Sequence, residues 1–312
     1  MEDDKSLEPL PGKNFSHIRN KKRRESQYRE YKHARAVRKS DIRRARAKEE
    51  EQNPELREER LAKNVTKTLE NTRELDDTYV DDDDAEVEAD VDQDEFAEHY
   101  SGDQSAKILI TTSRVSTQLT LAFGANLENV LPRSQFIRRK HKFHIRQIIQ
   151  FCNNRDYTDI VVINEDKKKP VSLTVIHLPE GPTAHFALSS VTLMKDIDHQ
   201  ARPTEYFPEL VLNNFNTRLG HSVGRMMGSL FPQLPQFEGR NVVTFHNQRD
   251  FIFFRRHRYE FQSKDKVNLQ EVGPRFTLKL RWLQRGLFDP SSGEYEWIFK
   301  TEMEASRRKF FL

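Results

Sequence analysis

Cationic and aromatic side chains interleave in two stretches of the C-terminal third, and this is the strongest chemical signal in the chain. Phe253, Phe254, Arg255, Arg256, His257, Arg258 and Tyr259 run consecutively, and Arg275, Lys279 and Arg281 recur among Phe276, Leu278, Leu280 and Trp282. Guanidinium and ammonium groups neutralise phosphates, and flat rings stack on unpaired bases, so the combination suits single-stranded or irregular RNA. Two further basic clusters stand apart from these: Arg138, Arg139 and Lys140 in mid-chain, and Arg19, Lys21, Lys22, Arg23 and Arg24 near the start. Arg255, Arg256, Arg258, Arg275, Lys279, Arg281, Arg138, Arg139 and Lys140 are candidate RNA contacts, and the cluster near the start serves RNA binding, nuclear import or both. The aromatics are expected mainly to fill the core, because strand periodicity turns every second side chain inward.

Catalytic chemistry has no comparable signal. The chain lacks H-E-x-x-H, C-x-x-C, G-x-S-x-G, a Walker A loop and a dinucleotide fingerprint. His177, His185, His221 and His246 are scattered singly, and metal sites need clustered ligands. Ser113 has no base partner within its own stretch. A chain without catalytic residues, cofactor or metal, and without a small-molecule substrate, is expected. The single cysteine, Cys152, excludes an internal disulfide framework and points to a reducing compartment. No run approaches the ~20 apolar residues of a membrane span, and Met1-Glu2-Asp3-Asp4 is acidic where a signal peptide is basic, so no membrane partner is expected.

The elements that must position the candidates are organised by charge. The net charge of +3 conceals opposed blocks: residues 17–48 hold 14 Lys/Arg against 3 Asp/Glu, and residues 74–104 hold 15 Asp/Glu and no Lys/Arg. Residues 105–312 carry 31 Lys/Arg and 20 Asp/Glu, a surplus of 11 positive charges. Two basic blocks imply a polyanionic partner, since neutralising phosphates releases condensed counterions. This divides the chain into a disordered tail (1–16), a basic arm with helical composition (17–73), a disordered acidic linker (74–104) and a folded region (105–312). The linker is either a spacer or a competitor of RNA for the basic surfaces.

Within the folded region, apolar β-branched runs predict strands at 107–112, 159–164, 172–178, 186–193, 209–213, 241–245, 250–261 and 276–283. Lys167 to Pro170 reads as a hairpin turn. Helices are predicted at 119–130, 136–151 and 217–230, and in the last of these Gly220, Gly224 and Gly228 share one face, which allows close packing. In 276–283 the alternation puts Phe276, Leu278, Leu280 and Trp282 inward and Arg275, Thr277, Lys279 and Arg281 outward. Gly181-Pro182 and Gly273-Pro274 each precede an alternating strand, which suggests one fold unit used twice.

The segments KILITTSR (107–114), TDIVVINED (158–166), HLPEGPTAHF (177–186), LNNFNTRLGHSVGRMMGSLFP (212–232), FHNQRDFIFFRRHRYEF (245–261) and GPRFTLKLRWLQRGLFD (273–289) resemble the Brix-domain family. The resemblance spans 105–312. It implies an α/β fold of two similar halves, each like the anticodon-binding domain of certain tRNA synthetases, with their boundary near 200–240. It further implies a non-enzymatic factor of the nucleus and nucleolus that binds pre-rRNA of the large (60S) subunit within a pre-60S particle, beside a dedicated assembly-protein partner. The family's segment similar to a sigma-factor nucleic-acid-binding motif falls on 273–289, which favours Arg275, Lys279 and Arg281. Residues 114–123 depart from the family pattern, so no site is carried over there. FHNQRD, FIFFRRHRY, SRRKF (306–310) and RNKKRR (19–24) look most like the large-subunit type of member. The alternatives are a small-subunit processome member and a scaffold that binds mainly protein.

Overall fold

The computed structural model describes residues 15–68, 71–74, 78–80, 87, 89–90, 93–102, 105–139, 143–264, 266–306 and 308–312. The chain divides into two compact units, 1–71 and 72–312. The tail expected at 1–16 lies outside the described residues except for Phe15 and Ser16.

The first unit is the basic arm. Helix α1 (Lys21–Gln52) starts where the Asn20 side chain accepts a hydrogen bond from the Arg23 amide at 3.2 Å, the usual N-cap contact. It ends before Pro54, whose ring cannot continue the preceding helix and instead opens α2 (Pro54–Lys63). At ~1.5 Å per residue α1 is about 48 Å long, and none of its residues is buried. Phe15 packs edge-on against Tyr28 and Tyr31, with ring centroids 6.3 and 5.7 Å apart.

The second unit is a mixed sheet of eleven strands among the described residues: β1 (Ile108–Thr112), β2 (Ser134–Ile137), β3 (Asp159–Asp166), β4 (Lys169–His177), β5 (Thr183–Thr192), β6 (Glu209–Asn213), β7 (Asn241–Gln248), β8 (Phe251–Ser263), β9 (Lys266–Glu271), β10 (Arg275–Gln284) and β11 (Tyr295–Ile298). Its main path runs β2-β1-β3-β4-β5-β10-β8-β7-β6. The helices are α3 (Ala97–Tyr100), α4 (Gln118–Glu128), α5 (Ile145–Asn153) and α6 (Arg218–Ser229). The two halves share one plan. In the first, β1 leads through α4, the edge strand β2 and α5 to β3, which lies parallel to β1 and is followed by antiparallel β4 and β5. In the second, β6 leads through α6 to parallel β7, then to antiparallel β8 and β10. The halves meet where β5 and β10 pair antiparallel. Gly181 and Gly273, ahead of these two equivalent strands, have φ of 116° and 75°, a region open to glycine because it lacks Cβ. The repeated Gly-Pro is therefore the mark of a repeated topology.

The inner face of the sheet carries the main core. Phe123 of α4 and Val223, Met226 and Met227 of α6 pack there on strands of both halves, including Ile110, Phe186, Leu280 and Phe254. The outer face differs between halves. In the first it is covered by α5, whose Ile149 and Cys152 meet Leu109, Ile160 and Val162. In the second, no α-helix among the described residues covers it, and Phe253, Arg255 and His257 are partly exposed.

Three expectations need correction. Residues 136–151 are not one helix: Phe136 and Ile137 end the edge strand β2, which is held by parallel pairing to β1, and the helix starts only at Ile145. The acidic stretch is described in part, and those parts are not all a free linker. Phe96 is 2% exposed in the main core, Tyr100 Oη donates to the Arg225 carbonyl at 3.0 Å, and Asp94 forms an ion pair with Arg225. Two aromatics hold a segment whose mean composition would not fold by itself. Finally, the β10 alternation breaks at a register shift between Leu280 and Trp282, which turns Trp282 outward to stack on His185 at 5.0 Å and leaves Leu283 inward.

Candidate nucleic-acid interface

The candidate residues do not form one surface. Strand periodicity explains the split within β8. Because Ile252 and Phe254 face the core, Arg256 does too, and Phe253, Arg255 and His257 face out. Arg256 is 1% exposed, donating from Nη1 to the Asn129 carbonyl at the end of α4 at 2.9 Å, with Nη2 3.4 Å from the Thr204 carbonyl. Burial pulls its pKa down to about 10. It ties the two halves together and has no outward surface to offer RNA. This corrects its assignment as a contact. Arg258 is half-buried.

Arg255 and Arg275 do come together on the outer face of the second half, around Glu271. Arg275 holds that carboxylate with two hydrogen bonds of 2.6 Å, and this bond raises its pKa. Arg255 has its pKa lowered, first by burial, with Glu271 acting to raise it and Arg275 to lower it. Both guanidiniums feel the Glu271 carboxylate, and Asp198 adds a weaker attraction at Arg275.

Lys279 and Arg281 lie further along the same face beneath the C-terminal segment. The Lys279 ammonium is bonded to Glu304 and sits 4.7 Å from the ring centroids of both Phe251 and Phe299, leaving its side chain 12% exposed. The Arg281 guanidinium is also 4.7 Å from the Phe299 ring. Their charge is therefore partly covered in this conformation.

Arg138 and Arg139 are on the other half, just after β2; Lys140 lies outside the described residues. Arg139 Nε donates to the Phe143 carbonyl at 2.9 Å, and its pKa is lowered by burial and then by the charge of Arg114. Arg114 was not among the sequence candidates. Nor were Lys167 and Lys168, read only as a turn; no local signal shows that three separate loops converge.

In the arm, Lys21 to Arg24 form the first turn of α1, and Arg19 precedes it. Glu49, Glu50 and Glu51 stand near its other end. A helix dipole favours the reverse order, with acids first and bases last, so these charges are not arranged to stabilise an isolated helix. An external polyanion at the first turn would relieve the repulsion.

Elsewhere, titratable groups are built into the fold. His177 Nδ1 is 2.8 Å from Asp159 Oδ1, both residues buried, and its Nε2 is 3.2 Å from the Glu95 carbonyl. Burial opposes the charge on His177, but the Asp159 hydrogen bond and field, helped by Glu95, outweigh it and raise the pKa. Among the described residues no three His, Cys, Asp or Glu side chains converge as a metal site, and no helix is long and apolar enough to cross a membrane.

Residues 113–282, from the end of β1 into β10, match the family described as the Brix domain. The chain belongs to the Brix-domain family. Its similarity to members of that family runs beyond the matched domain: it is 50% identical over 304 residues to ribosome production factor 1 of Pongo abelii, covering 97% of this chain and 86% of that protein. With ribosome production factor 1 of Saccharomyces cerevisiae it shares 48% over 301 residues, 96% of this chain and 99% of that one. The crystal structure of a probable ribosomal biogenesis protein from Aeropyrum pernix K1 aligns with a TM-score of 0.43 and 14% identity, over 63% of this chain and 100% of that one. The Brix relatives support a role in ribosome biogenesis, and none of them points to an enzyme family.

Proposed function

We propose that this Brix-domain chain is a non-enzymatic RNA-binding assembly factor that acts on large-subunit pre-rRNA in the nucleolus, within a pre-60S particle and beside a dedicated protein partner. The observation that carries the RNA reading is α1: 32 residues with no buried side chain and a basic first turn set against its own dipole. Phosphates would offset the repulsion among the cations of that first turn. Arg255 and Arg275, partly exposed on the outer face of the second half, supply further guanidiniums on the folded unit. The named relatives supply the ribosomal context.

The test is crosslinking of the tagged protein to RNA in growing cells, with sequencing of the recovered fragments. Discrete peaks in large-subunit pre-rRNA are expected. Peaks confined to small-subunit pre-rRNA would reassign the subunit, and no enriched RNA would refute RNA binding. The covered Lys279 favours one second reading, a scaffold that binds mainly protein. On that reading particle association is insensitive to salt, whereas phosphate contacts weaken steeply as salt rises.

A further inference from the structure

Strands β1, β2 and β3 are parallel, so their carboxyl ends share one edge of the sheet. Loops at such an edge are free of strand pairing, which is why open α/β sheets place ligands there. Three cationic loops meet at this edge. Arg114 follows β1, and its Nη2 lies 2.7 Å from His144 Nδ1. Arg139 follows β2 and holds the Phe143 carbonyl at 2.9 Å, one residue from His144. Lys167 and Lys168 form the tip of the β3–β4 hairpin, and the loop after β1 is tied to that tip by Thr117 Oγ1, 3.4 Å from the Lys168 carbonyl.

The cations are only partly offset from within: four stand against the carboxylates of Glu165 and Asp166. Glu165 accepts from the Thr117 amide at 2.7 Å and from Thr117 Oγ1 at 3.0 Å, so its carboxylate is engaged by the loop. Asp166 ends β3 in an exposed position. Among the described residues none of Arg114, Arg139, Lys167 and Lys168 has a carboxylate partner. The two lysines have φ of 48° and 65°, where asparagine and glycine fit at lower cost, and the tight turn leaves both exposed. Beside the cations stand two exposed rings: Phe143 is 39% and Phe151 42% exposed, edge to face at 5.7 Å. A duplex hides the faces of its bases, so exposed rings beside phosphate-binding cations find stacking partners only in unpaired nucleotides.

We propose that this rim is a further RNA site, built for unpaired nucleotides: Arg114, Arg139, Lys167 and Lys168 hold phosphates, and Phe143 and Phe151 stack on bases. It rests on the RNA-binding reading above and adds a location and a substrate class. The test uses the full chain, a labelled oligouridine and an RNA duplex of equal length. The variant Arg114→Gln/Lys167→Asn/Lys168→Gly removes three cations and gives the turn residues its backbone prefers, so its thermal melting should not fall below the parent's. With about 0.7 counterions released per phosphate contact, losing three contacts should flatten the salt slope by about 2 and weaken oligouridine binding roughly 50-fold at about 0.15 M salt. Phe143→Ala/Phe151→Ala should weaken oligouridine by about 5-fold or more and leave duplex binding unchanged.

A folded triple variant that keeps the parent's affinity and slope overturns the rim. If an alanine variant of Lys21, Lys22, Arg23 and Arg24 loses binding in the same assay, the RNA-binding reading survives that failure. A parent chain that binds neither probe overturns both. Equal losses of oligouridine and duplex in the phenylalanine variant overturn the preference for unpaired nucleotides. Unchanged RNA binding in the triple variant, with loss of a co-purifying protein, assigns the rim to a protein and overturns the proposal.

Discussion

Arg255 and Arg256 are neighbours in sequence, and replacing each by alanine should have opposite consequences. Arg256 is buried against the carbonyls of Asn129 and Thr204, with one hydrogen bond of 2.9 Å and one of 3.4 Å. A charge-assisted hydrogen bond contributes about 1.5–3 kcal/mol, and the emptied side-chain volume adds a cavity cost. Against this stands the burial of a guanidinium without a carboxylate partner, visible in a pKa pulled down to about 10, whose removal offsets part of the loss. The net expectation for Arg256→Ala is a destabilisation of about 3 kcal/mol, or a fall of about 1 M in the urea midpoint. Arg256→Met refills the space but leaves both carbonyls unpaired, and should lose about half as much. Arg255→Ala, on the partly open outer face, should change stability by less than about 1 kcal/mol and weaken RNA binding. Urea unfolding and oligoribonucleotide binding on the same preparations decide the matter. If Arg256→Ala unfolds with the parent and loses RNA affinity, the burial of Arg256 and the strand register behind it are refuted.

Glu304→Gln should free Lys279 and raise RNA affinity about 4-fold at about 0.15 M salt, the gain from one added phosphate contact on a single strand; unchanged affinity would remove Lys279 from the interface. His177 has a raised folded pKa, so its charged pair with Asp159 contributes stability in full below the unfolded value near 6.5 and loses it as pH rises through the folded value. Thermal melting across that window should therefore fall with rising pH more steeply for the parent than for His177→Gln, and parallel curves would show that the pair carries no such linkage. Phe96→Ala should cost about 3–5 kcal/mol, because this residue of the acidic stretch is 2% exposed in the core. Limited proteolysis would then cut near residue 96 faster than in the parent, while an unchanged cutting rate would return the segment to the status of a linker.

Much of the fold was legible in local pattern. Runs such as Ile108 to Thr112 are apolar because both faces of β1 are buried, and that composition shows in any window. The Thr217 N-cap and the glycine face of α6 are equally local: Thr217 Oγ1 accepts from the Gly220 amide at 2.9 Å, and Gly228 gives room to Tyr100. Residue type marked Arg256 as an RNA contact, whereas the period of two set by Ile252 and Phe254 on the core side of β8 carries the signal that turns it inward. The basic arm and its charge were visible from composition, as was the Gly-Pro pair that marks the two halves.

Other features depend on contacts between residues far apart in the chain, which no local window contains. Ser134 to Ile137 is a strand because β1 pairs with it, and the outward turn of Trp282 depends on where β5 forces a register shift. Phe96 and Tyr100 are held because the sheet and α6 leave room for them, which the surrounding carboxylates conceal. The candidate surfaces divide along the same line. Residue types and charge blocks pointed to a polyanion, since Coulomb attraction needs only composition. Which cations are buried, which are covered by Glu304 and Phe299, and which converge with Phe143 at the strand ends was decided by tertiary structure, because exposure and proximity are properties of the packed chain.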